Sequence, residues 1–497
     1  MTTNGISGYF DVDVKSEFDP NEKVKNSDSI NDMDSSVKPF LYTRRWIILT
    51  IFILISILNS LHLNLYSEIP NVMVSVYHPG DSNDKSSQYN MINWLSIVHL
   101  VSNIVFVIPV ILLNDCLGFR CCCLLGASLG TIGSWIKYSS IKPVVYEVLL
   151  FGQIVCSVSQ TFISICLIRL SGVWFGRNEV ATTISVGVLS SKIGHLVSFV
   201  MVPYLISKYN SHEMNIYYFD IIYLTVSALL SLLSILSLIL VRDYPEKCPS
   251  FAQIEIRNNQ KTLLSINYRE KFVQSWVSMS KIWSKQSYVF VAVSHAFLIG
   301  SMYSITYLLN QILYANYFQE NSTKIGIIEL FLIISSILGF ISSGLLIDFT
   351  KSFKILTVIS YVITFISTVA FTTTINLDIW FPFCTIFFLG FFSGFYLPAS
   401  YEYAIERTYP VSESTSCGFL IFISSITGIA MTYTYAFIIL NFGVFYGNCF
   451  LCVLQLIGMI LTSLISTEYK RERVNLDKRS HHEIDNRLKM TPKKLRN

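Results

Sequence analysis

The chain has 497 residues, 52% of them hydrophobic and only 14% charged, with a formal net charge of +4. That is too apolar for a soluble protein of ordinary composition and places the chain in a lipid bilayer. Eleven cysteines are odd in number and none falls in a segment expected outside the cell, so a disulfide framework is not expected.

In chain order, residues 1–45 form a polar tail with eight acidic side chains before residue 40 and no apolar periodicity, expected to be disordered. No cleavable signal peptide is expected there. Apolar runs at about 46–66, 92–113, 121–139, 145–168, 181–206 and 217–241 are each long enough to cross the hydrocarbon, which predicts a six-helix bundle over 46–241. A polar linker follows at 242–286. Within it Phe272, Trp276, Met279 and Trp283, flanked by Lys271, Lys281 and Lys285, predict an amphipathic helix on the inner leaflet. Six further runs, at about 287–314, 325–347, 355–374, 379–401, 417–439 and 443–465, predict a second bundle within 287–466. The last stretch, 467–497, is basic and expected to stay solvated or to touch anionic lipid.

Thirty of the thirty-six Lys and Arg residues fall in the tails, the linker and the loops on one side. This asymmetry predicts both termini and the linker in the cytosol. The sequon Asn321-Ser322-Thr323 then lies outside, where Asn321 can be glycosylated.

Two local patterns recur at almost one displacement. Asp115-Cys116-Leu117-Gly118-Phe119-Arg120 returns loosely as Asp348-Phe349-Thr350-Lys351-Ser352-Phe353-Lys354, an offset of 233 residues. Phe175, Glu179 and Thr182 return as Tyr409, Glu413 and Ser416, an offset of 234. A shared displacement predicts one bundle present twice, the plan of many secondary transporters. The loop Asn114-Asp115-Cys116-Leu117-Gly118-Phe119-Arg120 resembles the motif joining spans two and three in the major facilitator superfamily. The resemblance implies an inner-gate latch of Asp115, Gly118 and Arg120, with Asp348 and Lys351 as the second copy.

Within that superfamily the strings Asn93-Trp94-Leu95-Ser96, Gly152-Gln153 through Gln160, Ser171-Gly172-Val173-Trp174-Phe175-Gly176, Leu308-Leu309-Asn310-Gln311 and Tyr396-Leu397-Pro398 are similar to the feline leukaemia virus subgroup C receptor family. The likeness runs from about Arg44 to Glu468 and implies a carrier of choline or ethanolamine, with haem as the historical alternative. It further implies a solute site built from Trp94, Gln160, Tyr303 and, by counting back from Gly428, Ser425. Aromatic faces suit an ammonium headgroup, at roughly 0.5–2 kcal/mol per contact, and the Gln160 amide can accept a hydrogen bond from an alcohol. Asn310 and Gln311 would add polar groups where span seven unwinds.

Lys192 complicates that picture, because it falls midway along span five where family members usually carry glutamine. A cation at that depth costs about 2.5–3.5 kcal/mol on insertion scales. At about 6 Å and an effective dielectric near 20 it would repel a bound ammonium by roughly 2.8 kcal/mol. Lys192 therefore stands away from the ligand, or is neutral, or the solute differs from choline; a carboxylate-bearing solute would be attracted. His195 shares its helix face and, with His99, is a weak candidate haem ligand.

No carboxylate is expected deep in the bilayer, which removes the usual proton relay and favours uniport. Neither a nucleophile motif nor a metal cluster suggests an enzyme. The expectations are an all-α membrane protein of the major facilitator fold, with twelve helices in two pseudo-symmetric bundles and alternating access. It needs no cofactor, works as a monomer in the plasma membrane, and has the lipid bilayer and a small solute, but no nucleic acid, as partners. A non-transporting receptor or sensor on the same fold is the competing class.

Overall fold

The computed structural model describes residues 39–66, 70–77, 85–207, 212–264, 268–317, 322–465 and 468–490. Residues 1–38, expected to be a disordered tail, and Asn321 lie outside the described residues. Among the described residues, 12 helices are long and apolar enough to span a membrane. Spans one to six are Arg44–Asn64, Ile97–Leu117, Phe119–Ser139, Tyr146–Trp174, Val180–Leu205 and Glu213–Leu240. Spans seven to twelve are Gln286–Tyr314, Lys324–Thr350, Phe353–Thr374, Trp380–Thr408, Glu413–Phe442 and Val444–Leu464. The helix carrying span two begins earlier, at Lys85.

The packing repeats with a period of six spans. Span one packs on span five and span seven on span eleven; span three packs on span four and span nine on span ten. Contacts between the halves obey the same operation, since span two meets span eleven and span eight meets span five. Shifting two–eleven by six gives eight–five, which is what a two-fold axis between the halves requires. Close helix contact depends on missing side chains: a Cβ on Gly394 would lie 2.4 Å from the Ser336 carbonyl oxygen of span eight. The Gly390-x3-Gly394 pair thus lets spans eight and ten touch through their backbones.

Two helices, Phe251–Leu264 and Tyr268–Trp283, occupy the linker. The second is amphipathic as predicted, but its apolar face is divided. Phe272 and Trp276 are exposed, whereas Met279 is buried and Trp283 stands edge-on to Phe419 of span eleven with ring centroids 5.4 Å apart. That end of the helix packs on protein, because Trp283 is only three residues from span seven.

The expectation for the C-terminal stretch needs correction. Lys470–Met490 is helical, and its first turns dock on the helix ends rather than remaining solvated. Arg471 donates to Glu402 at 2.7 Å and to Glu406 at 3.0 Å, and both carboxylates are buried in span ten. Burial works against the Arg471 charge, but Glu402, Glu406 and Glu413 outweigh it and hold the guanidinium pKa above its usual range. Arg177, in the loop before span five, pairs with Glu472, its Nε lying 2.8 Å from Oε2. Asn475 Oδ1 accepts from the Ala252 amide at 2.9 Å, tying the linker to the same end.

Candidate functional site

The site has two parts, a latch at the end of the bundles where spans one and seven begin and a cavity beyond it. At the latch each half offers an aspartate to the first turn of a helix in the other. Asp348, closing span eight, accepts backbone N–H bonds from Ala181 at 3.3 Å and Thr182 at 2.7 Å, in the first turn of span five. Free amides and the positive end of the helix dipole both favour a carboxylate there. Asp115, closing span two, accepts from the Thr415 hydroxyl at 3.1 Å in the first turn of span eleven. The two interactions are partners under the six-span shift.

Lys351 follows span eight with a φ of 52°, and its ammonium bonds to Asp348 Oδ1 at 3.0 Å and the Arg177 carbonyl at 2.7 Å. It therefore bridges the halves. Arg120 does not. Its amide donates to Asp243 Oδ1 at 2.7 Å and its guanidinium to the Leu238 carbonyl at 3.2 Å, both within the first half. Gly118 explains why: at φ 89° it turns the chain sharply into span three, and a Cβ there would lie 2.8 Å from Asp243 Oδ1. The turn carries Arg120 toward the end of span six and away from the other half. The strong cation of the latch is instead Arg169, buried in span four, which bonds to Glu413 at 3.2 Å and to Ser412 Oγ at 3.3 Å.

Beyond the latch lies a cavity of 290 Å³, lined from both halves. Its residues on span one run from Phe52 to Asn64 and on span seven from Ile299 to Tyr307, from mid-span toward the far end. Span five contributes Gly187, Val188, Ser191, Lys192 and His195, a spacing that keeps them on one helix face. That face is fixed against span one. Ser60 Oγ donates to the Ser191 carbonyl at 2.6 Å, and a Cβ on Gly194 would fall 2.3 Å from the Ile57 carbonyl oxygen.

Gln160, Tyr303 and Lys192 all line the cavity, together with His99 and His195. Tyr303 stacks on Tyr307, with centroids 6.3 Å apart and planes 24° from parallel. The ring is seated where span eleven lacks a side chain, since a Cβ on Gly428 would stand 2.7 Å from Tyr303 Cδ2. Gln160 is oriented differently from the expectation. The Asn59 amide nitrogen is anchored on the Cys156 carbonyl at 3.2 Å and donates to Gln160 Oε1 at 2.9 Å. The Gln160 oxygen is thus engaged by protein, leaving its Nε2 to donate to a ligand.

The remaining expected ligands are not among the cavity-lining residues. Trp94 is 55% exposed. At 100° per residue its side chain projects about 140° from His99 and about 180° from Asn103, the two residues by which span two reaches the cavity. Asn310 and Gln311 are exposed on span seven, which stays helical through both, so no unwound segment forms there. Ser425 is fully buried and returns its hydroxyl to the Ile421 carbonyl of its own helix at 2.8 Å. Tyr307 and Asn103 went unrecognised in the sequence. Tyr307 stands one helical turn from Tyr303, a spacing that could have found it.

The comparisons with known proteins agree with this architecture. Residues 40–432 match the sequence profile of the Major Facilitator Superfamily. The chain is 32% identical over 439 residues to the choline/ethanolamine transporter flvcr2a of Danio rerio, covering 88% of this chain and 89% of that protein. It is 31% identical to the choline/ethanolamine transporter FLVCR2 of Homo sapiens, with 87% and 79% covered. Among solved structures, the proton:xylose symporter XylE superposes with a TM-score of 0.68 at 9% identity, over 88% of this chain and all of that one. FucP in the outward conformation gives 0.65 at 11% identity, over 85% and 100%.

Proposed function

Because the chain belongs to the major facilitator superfamily, and within it to the feline leukaemia virus subgroup C receptor-related family, we propose that it carries a small ammonium-bearing solute across a membrane by alternating access. Choline and ethanolamine, which name its relatives, are ammonium-bearing solutes of this kind. One observation carries the reading: a cavity contributed by both halves, bounded at one end by reciprocal aspartate-to-helix contacts. Such contacts can be broken and remade as the halves rock, while the cavity keeps its walls.

The sidedness follows from charge. With the Lys- and Arg-rich segments in the cytosol of a cell whose plasma membrane it occupies, the latch is the inner gate and the cavity faces outward. No Asp or Glu is among the lining residues, which supports passage without a coupled proton. Tyr303 and Tyr307 supply the aromatic wall for the ammonium, and Gln160 donates to the solute's oxygen. For the haem alternative only the positions of His99 and His195 speak. The retained latch in both halves favours movement over a static receptor.

The test is flux into vesicles containing the purified protein, with labelled choline, ethanolamine and glycine betaine offered separately. Saturable uptake of at least one, unchanged by an imposed proton gradient, is the expected result. Uptake of none above empty vesicles overturns the transport reading. A rate that follows the gradient overturns uniport alone.

A further inference from the structure

The cavity is lined by one lysine and by no carboxylate of the chain's own. Lys192 lies midway along span five and lines the cavity beside His99 and His195, while no Asp or Glu is among the lining residues. Among the described residues no carboxylate pairs with Lys192 in any ion pair. Its backbone cannot swing away, because Gly194 and Ser191 hold the helix on span one. A cation kept at that depth without a counter-ion is costly, and the 290 Å³ cavity leaves room for one to arrive. The other half contributes a wall of different chemistry, the stacked rings of Tyr303 and Tyr307.

We propose that the solute carries a carboxylate as well as an ammonium group, the carboxylate meeting Lys192 and the ammonium resting on the Tyr303–Tyr307 wall. The inference rests on the transport reading and narrows its substrate class to small zwitterions. Lys192 is then the specificity-determining residue. A simple ammonium alcohol sharing the cavity with it meets only repulsion, about a hundredfold in affinity at a separation of about 6 Å. The zwitterion turns that repulsion into attraction. It also connects the two halves through its two charges, so its binding energy depends on how the halves are disposed, as a ligand that drives a conformational change requires.

Glycine betaine, a trimethylammonium carboxylate, and choline, its alcohol counterpart, differ mainly in the anionic group and make the test. Uptake of each is measured in vesicles holding the wild-type protein, Lys192→Gln or Lys192→Arg. Wild type is expected to favour betaine over choline by tenfold or more. Lys192→Gln should lower that ratio by about a hundredfold, raising choline uptake in absolute terms, and Lys192→Arg should keep the wild-type preference. Thermal stabilisation of the purified wild type by betaine but not by choline is expected in parallel, and that measurement needs no variant to fold. A betaine-to-choline ratio unchanged by Lys192→Gln, or equal stabilisation by both, overturns the inference and leaves ammonium transport standing. No uptake of either solute, or of ethanolamine, overturns the transport reading and this inference with it.

Discussion

Lys137 and Lys192 both sit within membrane spans, and the surrounding structure treats them in opposite ways. Lys137 is fully buried near the end of span three, with its ammonium donating to the His62 carbonyl at 2.9 Å and Gln153 Oε1 at 2.5 Å, and lying 5.1 Å from the centre of the Tyr66 ring. Gln153 in turn donates to the carbonyls of Leu63 at 3.0 Å and Leu95 at 2.9 Å. One lysine and one glutamine thus knit spans one, two, three and four behind the cavity wall. Among the described residues Lys192 has no such set of protein acceptors, and it lines the cavity instead. A buried cation supplied with oxygen atoms is part of the scaffold; one left facing water is available to a ligand.

The sharpest way to break this contrast is to remove each amine. Lys137→Ala strands two buried acceptors, each costing about 1–3 kcal/mol, so thermal unfolding of the purified protein should move to distinctly lower temperature. Lys192→Gln removes an amine that the protein does not pair with a carboxylate and should not lower stability by more than about 0.5 kcal/mol. Equal losses in the two variants would erase the distinction. Next in size is Tyr303→Ala, which removes a cation–π face worth about 0.5–2 kcal/mol and should raise KM for an ammonium solute by roughly 2- to 30-fold with surface expression intact. An unchanged KM would take that wall out of the site. The smallest effect expected is that of Trp94→Ala, whose ring points away from the cavity: uptake kinetics should stay within about twofold. A larger loss would mean that the solute touches span two outside the cavity described.

Much of this was legible in the sequence because it is local or periodic. Twelve apolar runs follow from hydropathy, and the 233-residue offset marks Asp115 and Asp348 as counterparts in the two halves. Lys192 was conspicuous because a charge in an apolar run has few bland explanations. What escaped depends on direction or on distant pairing. Trp94 was placed in the site by its string of neighbours, yet its helical phase against His99 and Asn103 points elsewhere; counting residues would have shown it. Arg120 was misassigned because its partner, Asp243, lies 123 residues away at the end of span six, and no local pattern announces that contact. The docking of Arg471 was equally hidden, since a basic, polar tail reads as solvated until Glu402 and Glu406 are seen side by side on one turn of span ten.

That tail helix has a thermodynamic consequence. By gripping span ten through Arg471 and the loop before span five through Glu472, it acts as a brace across both halves on a single face of the membrane. Opening that face must break the brace, and the opposite face has no equivalent cost from this source. The resting population then leans toward one orientation, and a solute approaching from the braced face sees its apparent dissociation constant raised by the scarcity of receptive molecules. For the uniport proposed above, such a lean could not build a concentration gradient at equilibrium. It would make half-saturation differ between the two compartments while maximal velocity divided by half-saturation stayed equal in both directions, so the brace would govern how the carrier responds to supply and not where net movement stops.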